Sequence, residues 1–248
     1  MRSGTIVGFA PATYGLHFPN TFPSVPLLSI TLPGHGPLPI GDAANGLCGG
    51  MVFAARDCFE ARRPTPLDHD PPVSGPGFDY LVRRLLDSFD LPIGPARYYA
   101  WMSAPDEDGP AGLGVASRTR AEALRVCAAS DRGELSALGL IRTHSSDPRE
   151  LGQNHQVLVF SYENDATTDR LTLRLYDPNH PDRETTLDCV LTPGRPLDLR
   201  YSSGESTRGF FLTPYARDSP APLFGSVAPE SWIWSIGRAL LRRFGARG

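Results

Sequence analysis

Asn154-His155-Gln156-Val157-Leu158-Val159-Phe160 reads as the start of a β-strand led by a histidine. Asn154 and Gln156 are polar, and the four apolar residues after them are what a buried strand requires. The imidazole therefore stands at the rim of a core. The hydrophobic period changes not far upstream of this stretch. Before about residue 136 apolar residues recur at helical spacing, and beyond it they alternate. Strands are expected over 137–142, 156–162, 171–176, 185–191, 197–201 and 209–214. The polar run 164–169 forms the turn between the second and third.

On the N-terminal side, Met51, Ala54, Ala55, Cys58 and Phe59 fall on one face of a helix over 48–61, which Pro64 ends. Phe78, Leu81, Val82, Leu85, Leu86 and Phe89 mark a second helix near 77–89. A third is expected around 95–103 and a fourth over 117–129, with Ser117 or Thr119 as its cap. Residues 5–45 read as an extended arm with short strands at 5–9 and 25–32. Helices come first and strands second, which predicts an α+β fold rather than alternating βαβ units. One domain is expected over 1–230, with a helical half over about 45–130 and a β half over about 136–215. Residues 231–248 read as an appended amphipathic helix, with Trp232, Ile236, Ala239 and Leu240 on one side and arginines at its end.

The chain has 248 residues and is 40% apolar, enough to bury a substantial core. Its formal charge of −3 gives no general attraction to nucleic acid. No run approaches the ~20 apolar residues of a membrane span. The N-terminus is too weakly apolar for a secretory signal. Cys48, Cys58, Cys127 and Cys189 form no CxxC pair and no disulfide framework, so a reducing, cytoplasmic setting is expected. No Cys/His pair has ligand spacing, so neither a metal nor a cofactor is expected.

The chemistry centres on Asn45-Gly46-Leu47-Cys48-Gly49-Gly50-Met51, where loop composition gives way to a helix. A free cysteine is only a few per cent thiolate at neutral pH. A helix N-terminus offers unpaired N–H groups and a positive dipole end, which favour the thiolate. Gly49 and Gly50 are expected to leave room for a substrate backbone. His155 is the expected base, since His17, His35, His69, His144 and His180 lie in loops or before the thiol. Asp177, in Tyr176-Asp177-Pro178-Asn179, ends the strand after the one His155 opens. Antiparallel pairing would bring it to the imidazole, where a carboxylate can hold the tautomer.

These three segments, in this order, resemble the papain-like cysteine peptidase superfamily. They are most similar to its loosely characterised bacterial members that pair the histidine with a downstream Asp-Pro, a feature shared with the double-glycine-leader peptidases of bacteriocin exporters. The resemblance covers about 45–180. It implies a papain-like fold in which the helical half carries Cys48 and an antiparallel β half carries His155 and Asp177. Papain relatives use either Asn or Asp to orient the imidazole, which makes Asn179 the alternative to Asp177. They place a Gln amide six residues before the thiol as an oxyanion donor. That position is Asp42 here, which cannot donate when ionised. Asn45 is the nearest amide that could substitute, or it could cap the helix; Asn20 and Gln153 are more remote. The implied activity is cysteine-dependent hydrolysis of a peptide, protein or other amide. An acyl transferase of transglutaminase type and a catalytically inactive binding module are the alternatives. The C-terminal helix could touch a membrane or a partner, but packing on the body is the simpler expectation.

Overall fold

A computed structural model describes residues 1–24, 26–32, 36–90, 93–110 and 112–225. The helix expected over 231–244, and with it the boundary at 230, lies outside the described residues, as does His35. The elements in chain order are β1 (Arg2–Thr5), α1 (Pro11–Tyr14), β2 (Pro26–Leu32), β3 (Gly36–Asp42), α2 (Cys48–Glu60), α3 (Gly75–Ser88), α4 (Ile93–Met102), α5 (Val115–Asp131), β4 (Ser136–Ile141), β5 (His155–Asp165), β6 (Arg170–Tyr176), β7 (Glu184–Val190), β8 (Arg200–Tyr201) and β9 (Gly209–Leu212). The fold is α+β, with an antiparallel sheet that forms a half-barrel.

The sheet runs β8-β7-β6-β5-β4-β9, and β1 joins the far half of β5. The long strand β5 is the axis of the molecule. Its alternate residues serve two different cores. Val157 and Val159 pack with Leu138, Leu140, Leu173 and the α5 residues Ala123, Val126 and Cys127. Leu158 and Phe160 face the other way, onto Val52, Phe53 and Ala55 of α2. Both faces are covered, so the run is continuously apolar.

Helix α2 is buried on nearly every side, not on one face as its spacing suggested. Met51 and Ala54 meet Leu81, Val82 and Leu85 of α3 and the arm residues Leu16, Phe18 and Phe22. The helix is a middle layer between the sheet and α3, so an apolar stripe alone would not suffice. Gly49 and Gly50 make that layer possible. A Cβ on Gly50 would fall 2.1 Å from the Leu81 carbonyl oxygen, and one on Gly49 would fall 2.1 Å from Ser88 Oγ. The glycines admit α3 rather than a substrate backbone.

Other differences have local causes. The chain leaves the sheet at Thr5, turns at Gly8 (φ +88°) and starts α1 at Pro11, so no strand covers 5–9. The expected arm contains a β2–β3 hairpin. Gly114, not Ser117 or Thr119, precedes α5; the Ser117 hydroxyl instead donates to Asp108 and Thr119 Oγ1 accepts from the Phe210 N–H. Pro196 and a left-handed Asp198 (φ +45°) shorten the strand expected over 197–201 to Arg200–Tyr201.

Candidate active site

Cys48 is the first residue of α2, and the buried Leu47 before it anchors the turn. The first intrahelical bond runs from Met51 N–H to Leu47 O at 2.9 Å, so the N–H groups of Cys48, Gly49 and Gly50 stay outside the ladder. His155 opens β5 beside this helix end. Asn154 fixes that start: its Oδ1 accepts from the Arg142 N–H at 3.1 Å and its Nδ2 donates to Leu151 O at 3.1 Å. Asp177 follows β6, the strand paired with β5, and so arrives at the imidazole. The distance from His155 Nε2 to Asp177 Oδ1 is 2.6 Å. The other ring nitrogen is left for the Cys48 thiol, and the two groups shift each other's ionisation.

Burial is graded along this chain of groups. Cys48 is half-buried, His155 is 3% exposed and Asp177 is fully buried. Asp177 is held from three sides. Its Oδ1 also accepts the Asn179 backbone N–H at 2.8 Å, and its Oδ2 accepts the Tyr201 hydroxyl. Sequence reasoning missed Tyr201. Its only sign was a phenol closing a short apolar strand, and the contact depends on β8 folding back over β7.

The electrostatics follow from these contacts. Burial pushes the Asp177 pKa up, but the His155 imidazole, the Tyr201 hydroxyl and the Asn179 N–H bring it down to about 2. Burial opposes the imidazolium of His155, yet the Cys48 thiolate and the Asp177 carboxylate raise its pKa to about 9. Burial also opposes ionisation of Cys48. The His155 charge and hydrogen bond, with N–H groups of Gln156 and Gly49, outweigh it and hold the thiol pKa below its ordinary value. The other three cysteines go the opposite way. Burial lifts Cys58 and Cys189 to about 12 and Cys127 to about 11.

No family model matches the chain, and no curated protein or solved structure matches it either. The reading of the site therefore rests on this chain's own groups. A half-buried thiol beside an imidazole that a buried carboxylate holds can rest as a thiolate–imidazolium pair. Such a pair can attack an electrophilic carbon and return a proton to the leaving group.

The remaining expected residues are placed as follows. Asp42 caps the short helix at 43–45: its Oδ1 accepts from Ala44 N–H at 2.9 Å and its Oδ2 from the Ser24 hydroxyl at 2.6 Å. Asn45 is exposed at the end of that helix, and Gln153 is exposed too. Asn179 does not touch the imidazole. It steadies Asp177 through its backbone and uses its side-chain oxygen for Asn20. Asn20 proves to be near, not remote: its Oδ1 accepts from the Leu47 N–H at 2.6 Å. Below the thiol, Gln156 Nε2 donates to Ser88 Oγ at 3.0 Å.

Ligand atoms of Asp177, His180 and Glu205 lie within 4.8 Å of one another. Asp177 already takes three hydrogen bonds, and Glu205 pairs with Arg142. Their charge is spent on the protein, so the cluster belongs to the surroundings of the carboxylate.

Proposed function

We propose that the protein is a cysteine-dependent hydrolase of the papain-like kind, acting on an amide or related acyl substrate. Cys48 is the nucleophile, His155 the base and then the acid, and Asp177 the residue that orients the imidazole. The observation that carries this reading is the buried His155–Asp177 pair, 2.6 Å between Nε2 and Oδ1, with the imidazole set against the half-buried Cys48. In the acylation step the thiolate bonds to the carbonyl carbon, and the carbonyl electron pair moves to oxygen. Collapse expels the amine, which takes its proton from the His155 imidazolium. Water, deprotonated by the now neutral imidazole, releases the acyl group.

The test is alkylation by limiting iodoacetamide, mapped by mass spectrometry across pH. Cys48 is expected to react well before Cys58, Cys127 and Cys189, and to keep its rate at pH values below the ordinary thiol pKa. His155→Ala is expected to remove that acid-side reactivity. A Cys48 that titrates like a free thiol, or reacts no faster than the buried three, would overturn the assignment.

A further inference from the structure

Acyl transfer to a thiolate puts negative charge on the former carbonyl oxygen, and preorganised donors must meet it. The Cys48 N–H, outside the helical ladder, is one. The position expected to supply the second holds Asp42, which is turned into a cap. Asn45 and Gln153 are exposed. One side-chain amide is fixed against the thiol loop instead. The Asn20 backbone N–H donates to Pro178 O at 3.0 Å, its Oδ1 takes the Leu47 N–H at 2.6 Å, and its Nδ2 donates to Asn179 Oδ1 at 3.2 Å. These bonds set the orientation of the amide, with nitrogen and oxygen distinguished by their partners. Gly46, at φ +85°, lets it lie against the chain: a Cβ there would fall 2.5 Å from Asn20 Nδ2. The amide thus bridges the loop that carries Cys48 and the loop that carries Asp177. One of its two Nδ2 protons has no partner among the described residues, and the residue is half-buried, so that proton can meet a ligand.

We propose that Asn20 is the side-chain oxyanion donor of this site, acting with the Cys48 N–H from a segment 28 residues ahead of the thiol in sequence. The proposal rests on the thiol-hydrolase reading, and two reactions at the same sulfur separate the two ideas. Acylation by p-nitrophenyl acetate passes through an oxyanion: sulfur bonds to the acetyl carbon, the carbonyl pair moves to oxygen, and its return expels p-nitrophenolate. Alkylation by iodoacetamide forms the carbon–sulfur bond as iodide leaves and develops no oxyanion. With Cys48→Ala as the blank, Asn20→Ala is expected to slow the acylation burst by about 100-fold. Alkylation and its pH dependence should change by less than about two-fold.

Asn20→Asp supplies the same comparison if the alanine variant does not fold. It keeps the acceptor for Leu47, Asn179 can turn its amide to donate, and the amide donor is gone. Acylation that is unchanged, or that falls in step with alkylation, overturns the assignment of Asn20. A wild-type protein that alkylates preferentially at Cys48 but shows no acylation burst overturns the oxyanion role while leaving an activated thiol. A wild-type Cys48 without preferential alkylation overturns the hydrolase reading, and Asn20 falls with it.

Discussion

At the residue scale, the site is a run of groups of rising burial in which each one sets the charge of the next. The Tyr201 hydroxyl and the Asn179 N–H stabilise the Asp177 carboxylate, which supports the imidazolium, which supports the thiolate. Two signs follow. His155 has a folded pKa of about 9, above its ordinary value of 6.5, so its contribution to stability is complete below about pH 6.5 and disappears as pH rises through about 9. Asp177 has a folded pKa of about 2, below its ordinary value of 3.8, so its contribution is present above about pH 4 and disappears as pH falls through about 2. Amide turnover should therefore decline as pH rises through about 9, where the neutral imidazole no longer protonates the leaving amine. His155→Ala should flatten the loss of urea stability between about pH 6.5 and about pH 9. Tyr201→Phe keeps the ring packing and removes one hydrogen bond to a buried carboxylate, at a cost of about 2 kcal/mol in urea unfolding. It should also move the alkaline limb of turnover upward, because the full Asp177 charge then faces His155.

At the element scale, α2 shows how a residue can serve architecture and chemistry at once. Gly50→Ala would set a methyl against the Leu81 carbonyl, backbone on backbone, where neither helix can yield by a rotamer change. It should destabilise by roughly 1–3 kcal/mol, as over-packing does. Gly77 in the first turn of α3 is the control, since its nearest neighbour would lie 4.0 Å from the new Cβ. Gly77→Ala should stabilise by up to about 1 kcal/mol. Thermal melts of the two variants should move in opposite directions.

Most helices and strands were readable, because burial on one face leaves a period of 3.6 or 2 in the sequence. The strand expected over 25–32 is β2, but its partner β3 was not readable, since Pro37, Pro39 and the neighbouring glycines carry the composition of a loop. Cys48, His155 and Asp177 were readable from their places at element ends. Tyr201 was not, and Asn20 stood only as a remote option, because only tertiary folding brings β8 and the N-terminal arm to the site.

At the scale of the whole molecule, the segment after β9 has to be held across α2 and α3, and a buried charge does this. Asp57 of α2 is fully buried and Arg84 of α3 is 2% exposed, with 2.7 Å between Arg84 Nε and Asp57 Oδ2. Tyr80 and Tyr215 donate hydroxyls to the two Asp57 oxygens at 2.5 and 2.6 Å, and the Asp218 N–H adds a bond at 2.9 Å. Arg84 also donates to the Ala216 carbonyl at 2.8 Å. A carboxylate met from so many sides recovers the solvation that burial removes, although burial still leaves its pKa raised. The network joins three stretches that are distant in sequence and shares no residue with the group formed by Cys48, His155, Asp177 and Tyr201. Asp57→Asn should thus cost about 3–5 kcal/mol by leaving the buried Arg84 with only the partly exposed Asp87 carboxylate as counter-charge. In whatever fraction remains folded, the pH profile of Cys48 alkylation should match the wild type. A shifted profile would mean that the clamp also sets the thiol, and that the position of α2 relative to β5 depends on this ion pair.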